Sequence, residues 1–363
     1  MRVLVAGGGS GGHVYPGLAV LEELREQGAL EEAGWVGTPS GIEAEILRGY
    51  PWITFFPLPC RGLDRRRPWT WPQFLASTLA SLSRALSIVR SFRPTVVLGM
   101  GGYPSFAPVL AAALLRIPRA LHEQNASLGL ANRALLPFAS RLFLSFPHTA
   151  GLPAWIRKVE VTGLPVRKGF LNGSWPVDRG QEQELVVVGG SQGSRALIEA
   201  ALRAAPALAG LPGLRLRLLV GRAADPDQVE AALRAAGLAQ PRVERYTERM
   251  PEVLGRARLV LARAGASTVA ELAATGRPAI LVPWKAAAGG HQTANARALA
   301  SAGGCVLLPE GELRRADLGK LVAKLWEDEE RLRRMALAAR RLARPDAARR
   351  LAEALLELGK GRG

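Results

Sequence analysis

The stretch RVLVAGGGSGGHVYPG, Arg2 to Gly17, decides the reading of the fold. Arg2–Ala6 is an apolar run of strand length, and a glycine-rich turn follows it directly. LAVLEELREQG beyond the turn has the pattern of a helix. Strand, bare turn and helix in that order open a doubly wound α/β unit. Amide groups at such a helix start, uncovered by side chains, cradle phosphate or hydroxyl-rich ligands. Gly7-x-Gly9-x-x-Gly12 also fits a loose dinucleotide fingerprint, with its ribose acid near Glu31 and Glu32. His13 stands where the turn enters the helix, and the dipole there disfavours an imidazolium. A neutral imidazole at that point can act as a general base or simply hydrogen-bond to backbone.

The same alternation runs through the chain. Strand-like runs occur at Arg2–Ala6, Gly34–Val36, Ile53–Phe56, Thr95–Leu98, Arg119–Leu121 and Arg141–Leu144. A second set lies at Glu184–Val188, Arg215–Val220, Arg242–Tyr246, Arg258–Leu261, Ala279–Val282 and Cys305–Leu308. Helical patterns separate them, which predicts parallel sheets with helices on both faces. The Gly- and Pro-rich stretch from Val161 to Gly180 reads as the join. The expected fold class is therefore α/β: two doubly wound Rossmann-like domains facing across a cleft. The expected division is 1–162, 163–340 and a C-terminal helix over 341–363. That helix packs either on the last domain or back on the first.

Bulk numbers limit the function classes. The chain has 363 residues and a formal charge of +17, from 48 basic and 31 acidic side chains. That balance favours an anionic partner: phosphorylated substrates, an anionic membrane face or, third, nucleic acid. Aromatics are 6% and no RNA-recognition or zinc-finger spacing occurs, so nucleic acid is set aside. Cys60 and Cys305 are too isolated for a disulfide framework or a zinc knuckle, which fits a reducing, cytoplasmic compartment. The apolar run after Arg2 is too short for a signal peptide. Neither Phe106–Leu115 nor Ile280–Trp284 approaches the ~20 residues that span a bilayer.

Several polar clusters fall at predicted strand ends. Gly99-Met-Gly-Gly-Tyr103 and Gly189-Gly-Ser-Gln-Gly193 repeat the glycine turn without a Walker lysine. His122-Glu-Gln-Asn125 is a run of four polar side chains. Thr268 and Glu271 of Ala264-Gly-Ala-Ser-Thr-Val-Ala-Glu271 have capping-box spacing, and the same turn suits a diphosphate with Glu271 on a ribose. Asp225-Pro-Asp227 matches a metal-dependent transferase pattern but reads better as a helix N-cap with Pro226 at the first position. No other cluster has metal-ligand spacing, so no protein-bound metal is expected. Trp69 and Trp71 beside Arg65, Arg66 and Arg67 suit an anionic membrane surface. Leu75, Leu79, Leu82, Leu86 and Val89 recur at helical spacing, which reads first as a core-facing helix.

GGGSGGHVYPGLAV, VVLGMGGYPS, HEQNASLGLANR, VTGLPVR, VVVGGSQGSRALI, RAGASTVAELAATGRPAILVPW and GGHQTANA, in this order, resemble the MurG family of bacterial cell-wall glycosyltransferases, in glycosyltransferase family 28. The resemblance covers nearly the whole chain. It implies a two-domain glycosyltransferase B fold. It also implies inverting transfer of N-acetylglucosamine from UDP-N-acetylglucosamine to lipid I, the undecaprenyl-diphospho-muramoylpentapeptide. By the resemblance, His13 is the first choice of catalytic base and Glu123 the second. Ser10, Gly11, Gly12, Asn125, Arg167, Ser191, Thr247, Gln292 and the run Ala266, Ser267, Thr268, Val269, Ala270 and Glu271 would bind the donor. Within that set Thr247 marks the uracil and Glu271 the ribose, while Gly101, Gly102 and Tyr103 would face the acceptor. Trp284–His291 departs from the family pattern in being smaller and more apolar. The resemblance further implies a peripheral place on the cytoplasmic face of the cell membrane and cell-wall or division proteins as partners. It implies no tightly bound cofactor beyond a divalent cation that could accompany the UDP diphosphate. The competing readings are another glycosyltransferase of this fold, a nucleotide-sugar epimerase, and a non-catalytic membrane-surface protein.

Overall fold

A computed structural model describes residues 1–62, 67–171, 183–190 and 192–361. Ser191, Arg65 and Arg66 therefore lie outside the described residues. The chain divides into two compact units, Met1–Pro165 with Arg344–Gly363, and Val166–Ala343. The breaks fall three residues beyond the sequence-based ones, and the C-terminal helix belongs to the first unit.

The first unit holds one parallel sheet of seven strands. They are β1 (Arg2–Ala6), β2 (Glu32–Gly37), β3 (Ile53–Pro57), β4 (Val96–Gly99), β5 (Arg119–Glu123), β6 (Arg141–Leu144) and β7 (Val159–Val161). The spatial order is β3-β2-β1-β4-β5-β6-β7. β7 was not foreseen, because Val-Glu-Val is too short to show a period. Val3, Leu4, Val5 and Ala6 are all fully buried, as a central strand covered on both faces requires. The helix Ala347–Lys360 lays Leu351, Ala352 and Leu355 into the same core as Val20, Leu21 and Leu24. Arg350 pairs with Glu160 at 2.9 Å on that return path.

The second unit is a parallel sheet of six strands: β8 (Gln183–Val188), β9 (Leu214–Leu219), β10 (Arg242–Glu244), β11 (Ala257–Ala262), β12 (Ala279–Leu281) and β13 (Cys305–Leu307). Their order is β10-β9-β8-β11-β12-β13.

Both orders reverse once, between β1 and β4 in the first unit and between β8 and β11 in the second. Ligands of open parallel sheets bind beyond the carboxyl ends of strands at such reversals. The turns after β1 and β4 are two of the glycine-rich stretches, and the turns after β8 and β11 carry Gly189–Gly193 and Ala264–Thr268.

The helix Trp71–Phe92 corrects part of the leucine-stripe reading. Its second half is core-facing, with Ala85, Ile88, Val89 and Phe92 buried. Its first half leaves Leu75 and Leu79 about three-fifths exposed, beside Trp69 at 74% and Trp71 at 49%. Among the described residues no helix is long and apolar enough to cross a membrane.

Candidate active site

In the first unit the turn after β1 carries His13. Ser10 is extended at the head of the helix Gly11–Glu26, and its side chain caps no amide. Pro16 sits inside this helix and has no N–H, so the Gly12 carbonyl four residues back loses its helical partner. His13 Nδ1 lies 2.9 Å from the Gly8 carbonyl oxygen and 3.1 Å from Ser10 Oγ. A carbonyl only accepts, so Nδ1 carries the proton and the neutral ring keeps its basic lone pair on Nε2.

The turn after β4 closes on this histidine. A Cβ built on Gly101 would lie 3.3 Å from His13 Cδ2 and 3.4 Å from Gln124 Oε1. Gly102 has φ +74°, and a Cβ there would lie 2.6 Å from the Gly8 oxygen. Both conditions restrict that position to glycine. Tyr103 is 41% exposed next to the turn.

The HEQN run at the end of β5 is buried from His122 to Gln124 and hydrogen-bonded to its surroundings. His122 donates from Nε2 to the Gly163 carbonyl at 3.1 Å and accepts from Gln124 Nε2 at 3.2 Å. Burial first, and His13 in the opposite sense to that hydrogen bond, push its pKa down to about 4. It is a neutral structural histidine. Glu123 Oε1 accepts from Asn125 N at 3.0 Å and Asn125 Nδ2 at 3.2 Å. Its Oε2 accepts from Gly129 N at 2.9 Å and Asn132 Nδ2 at 2.8 Å. Four donors on a carboxylate that is 2% exposed leave no approach for a proton from a substrate. In this structure Glu123 holds the Asn125 turn.

In the second unit the helix Ala266–Thr275 begins at the carboxyl end of β11. Its N-cap is Gly265, which corrects the capping-box reading: Thr268 lies inside the first turn. Ala266 and Val269 are buried, so only their backbone can meet a ligand. Ser267 Oγ is buried without a hydrogen-bond partner, an orphaned hydroxyl beside the first amides of the helix. Ala270 and Glu271 follow about one turn later. Glu271 keeps part of its surface exposed while its carboxyl lies inside; that burial raises its pKa to about 7, and nearby Arg167 opposes the shift. Arg167 also reaches the Glu248 carbonyl at 3.4 Å and lies 5.2 Å from the Phe170 ring centre. A cation and a carboxyl beside the N-terminal amides of a helix suit a diphosphate and a ribose.

Thr247, just after β10, accepts at Oγ1 from the Arg249 amide at 3.2 Å. Gln292 Oε1 accepts from the Trp284 amide at 2.9 Å and so holds the departing Trp284–His291 loop. Asp225 accepts from the amides of Asp227 and Gln228 as the N-cap of Pro226–Ala235, as its sequence reading predicts. A cavity of about 670 Å³ lies between Glu184, Arg215 and Arg242 at the amino ends of the strands, opposite the glycine turns.

The residues match glycosyltransferase models along both units. Residues 3–144 match the glycosyltransferase family 28 N-terminal domain and 184–351 its C-terminal domain. The chain belongs to glycosyltransferase family 28. It is similar, at 42% identity over 99% of both chains, to a Nitrosococcus oceani protein named UDP-N-acetylglucosamine–N-acetylmuramyl-(pentapeptide) pyrophosphoryl-undecaprenol N-acetylglucosamine transferase. A Syntrophotalea carbinolica protein of the same name is 40% identical over 97% of each chain. Among solved structures, Acinetobacter baumannii MurG matches with TM-score 0.76 and 29% identity, covering 98% of this chain and 99% of that one. A Neisseria meningitidis UDP-GlcNAc 2-epimerase shares the fold at TM-score 0.69 and 16% identity, covering 98% and 100%.

Two features of this family 28 chain escaped the sequence reading. Arg263 is 9% exposed and donates to Ser194 Oγ at 3.1 Å, to the Val282 carbonyl at 3.2 Å and to Glu310. It ties the turns after β8, β11 and β12 together, and its one signal was a charge ending an apolar run. Glu43 is fully buried beneath the first glycine turn. SGIEAEIL gives no periodic cue to it.

Proposed function

We infer that the protein is an inverting glycosyltransferase that moves N-acetylglucosamine from UDP-N-acetylglucosamine to lipid I, making lipid II for peptidoglycan. Its full-length likeness to transferases of that name carries the reading. The site chemistry agrees with it. His13 Nε2 takes the proton of the acceptor hydroxyl as that oxygen bonds to the anomeric carbon. The bond from that carbon to the UDP diphosphate breaks, and its electron pair leaves on UDP. Arg167 and the N-terminal amides of Ala266–Thr275 stabilise the charge that develops there. Glu271 holds the ribose, Thr247 the uracil edge, and Ser10, Gly11, Gly12, Asn125 and Gln292 the sugar. Gly101, Gly102 and Tyr103 face the acceptor.

The exposed Trp69, Trp71, Leu75 and Leu79 form the surface that meets the membrane. Arg67, Arg84 and Arg90 add the charge that attracts an anionic face, and the expected place is the cytoplasmic one. Other cell-wall or division proteins are the partners such a place offers.

The experiment supplies sugar-labelled UDP-N-acetylglucosamine, a short-chain lipid I analogue and EDTA. Label in the lipid product establishes the transferase without a required free cation. Transfer only after magnesium is restored makes a cation the companion of the diphosphate. Interconversion of the UDP-sugar without transfer overturns the reading in favour of an epimerase.

A further inference from the structure

Glu43 makes no contact that the reaction above uses, yet it is 0% exposed and sits directly under the turn that carries His13. Its Oε1 accepts from the Thr38 amide at 2.7 Å and the Thr38 hydroxyl at 2.6 Å. Its Oε2 accepts from the Gly9 amide at 3.0 Å. The surrounding backbone is bare where the carboxylate lies. A Cβ on Gly8 would come within 2.2 Å of Glu43 Oε1, on Gly41 within 2.4 Å of the same oxygen, and on Gly37 within 2.6 Å of Glu43 Cγ. Glycine at position 8 is thus required by the buried carboxylate itself, apart from any ligand.

The Gly9 N–H and the Gly8 C=O are the two ends of one planar peptide group. One end donates to Glu43, and the other accepts from His13 Nδ1 at 2.9 Å. We propose that Glu43 is a positioning residue for His13, acting through the Gly8–Gly9 peptide as a carboxylate acts directly on an imidazole in a catalytic triad. The proposal rests on His13 being the base. A carboxylate on the N–H polarises the amide, and a polarised carbonyl is the stronger acceptor. That holds the Nδ1–H tautomer, fixes the ring beside Gly101 and stabilises the imidazolium formed when Nε2 takes a proton.

Three titratable groups near the pair stay neutral through the working range. His122, on β5, titrates near 4. Burial first and the Glu43 charge second push the Cys60 thiol up to about 12. The Tyr103 hydroxyl is raised above its ordinary value, by burial first, then Cys60 and Glu43. On the proposal, Glu43 raises the basicity of His13 through the Gly8–Gly9 peptide.

The test compares wild type, Glu43→Gln, Thr38→Val and His13→Ala as full chains. Histidine-labelled protein gives the tautomer and titration midpoint of each imidazole by NMR, with His13 assigned by its loss in H13A. Steady-state turnover gives kcat and KM against pH. The expected wild-type tautomer is Nδ1–H. Glu43→Gln should lower the His13 midpoint by about half to one pH unit. The acid limb of kcat should move to lower pH by the same amount, because a weaker base sheds its proton earlier. Its plateau should fall about tenfold while KM for UDP-N-acetylglucosamine stays within about threefold. Thr38→Val removes one hydrogen bond to the carboxylate but keeps its charge and the Gly9 contact, so its limb should not move. A wild-type Nε2–H tautomer overturns the proposal without any variant, as does an unmoved midpoint in E43Q or an equal shift in T38V. Normal turnover in H13A overturns the base assignment instead, and the NMR midpoints still decide the link between the two residues.

Discussion

His13 and Gly8 are joined by a 2.9 Å hydrogen bond from imidazole Nδ1 to the main-chain carbonyl, which leaves the basic lone pair on Nε2. Removing that ring should therefore remove proton transfer while leaving the fold. His13→Ala is expected to lose ~10²-fold or more in kcat, the range for general base catalysis. Binding of UDP-N-acetylglucosamine, measured by calorimetry, should change little.

The second glycine turn should tolerate no side chain where it meets the first. Gly102→Ala forces a residue at φ +74° and sets its Cβ 2.6 Å from the Gly8 oxygen. A destabilisation of about 1–3 kcal/mol is expected in urea unfolding. Turnover should fall with it, because the Gly8 carbonyl that holds His13 must move.

Glu271 gives a pH dependence with a definite sign. Its folded pKa, about 7, lies above the ordinary carboxyl value of 4.5. Between those values the folded state holds a proton that the unfolded chain has lost. The stabilisation is complete below about 4.5 and disappears as pH rises through about 7. Glu271→Gln should therefore raise the Tm at pH 8 relative to wild type and leave it nearly unchanged at pH 4.5. The same variant should raise KM for UDP-N-acetylglucosamine if the carboxylate holds the ribose. A wild-type Tm difference that persists equally at both pH values would contradict the titration.

Arg263 is a buried cation with three sets of partners. Arg263→Ala strands Glu310, whose other oxygen accepts the Lys285 amide at 2.9 Å. Loss of one partner of such a pair costs about 3–5 kcal/mol. Unfolding of the second unit should move by that amount, and Arg263→Ala with Glu310→Ala should recover part of it.

The exposed apolar patch predicts a separable membrane function. Replacing Trp69 and Trp71 by Ser removes two large side chains, each contributing about 1.5–3 kcal/mol when fully buried. Binding to vesicles with anionic lipid should weaken at least about tenfold, with partial insertion assumed. Transfer to a short-chain, soluble acceptor should remain at the wild-type rate.

Much of the fold was legible because apolar runs and glycine turns are local signals. Arg2–Ala6 and Glu184–Val188 read as strands from their own residues, and each lies in the interior of its sheet. The Asp225-Pro226 cap was legible for the same reason, since its bonds stay within three residues. The T-x-x-E spacing at Thr268 misled because Gly265 supplies an extended backbone earlier, so the helix starts before the threonine. The partners of Glu123 were not legible in HEQN, because Gly129 and Asn132 lie beyond that run.

The sequence alone determined the alternation of strands and helices, the glycine turns and the family, because each is written in neighbouring residues or in an ordered set of motifs. Tertiary structure decided the rest. Strand order placed β1 beside β4, so that turns some ninety residues apart meet around His13. Packing returned the Ala347–Lys360 helix to the first unit. It also buried Glu43 against the peptide that holds the histidine. Periodicity tells a residue which face it buries. Which distant residue it then meets depends on the crossovers, and those are fixed only when the sheets are packed.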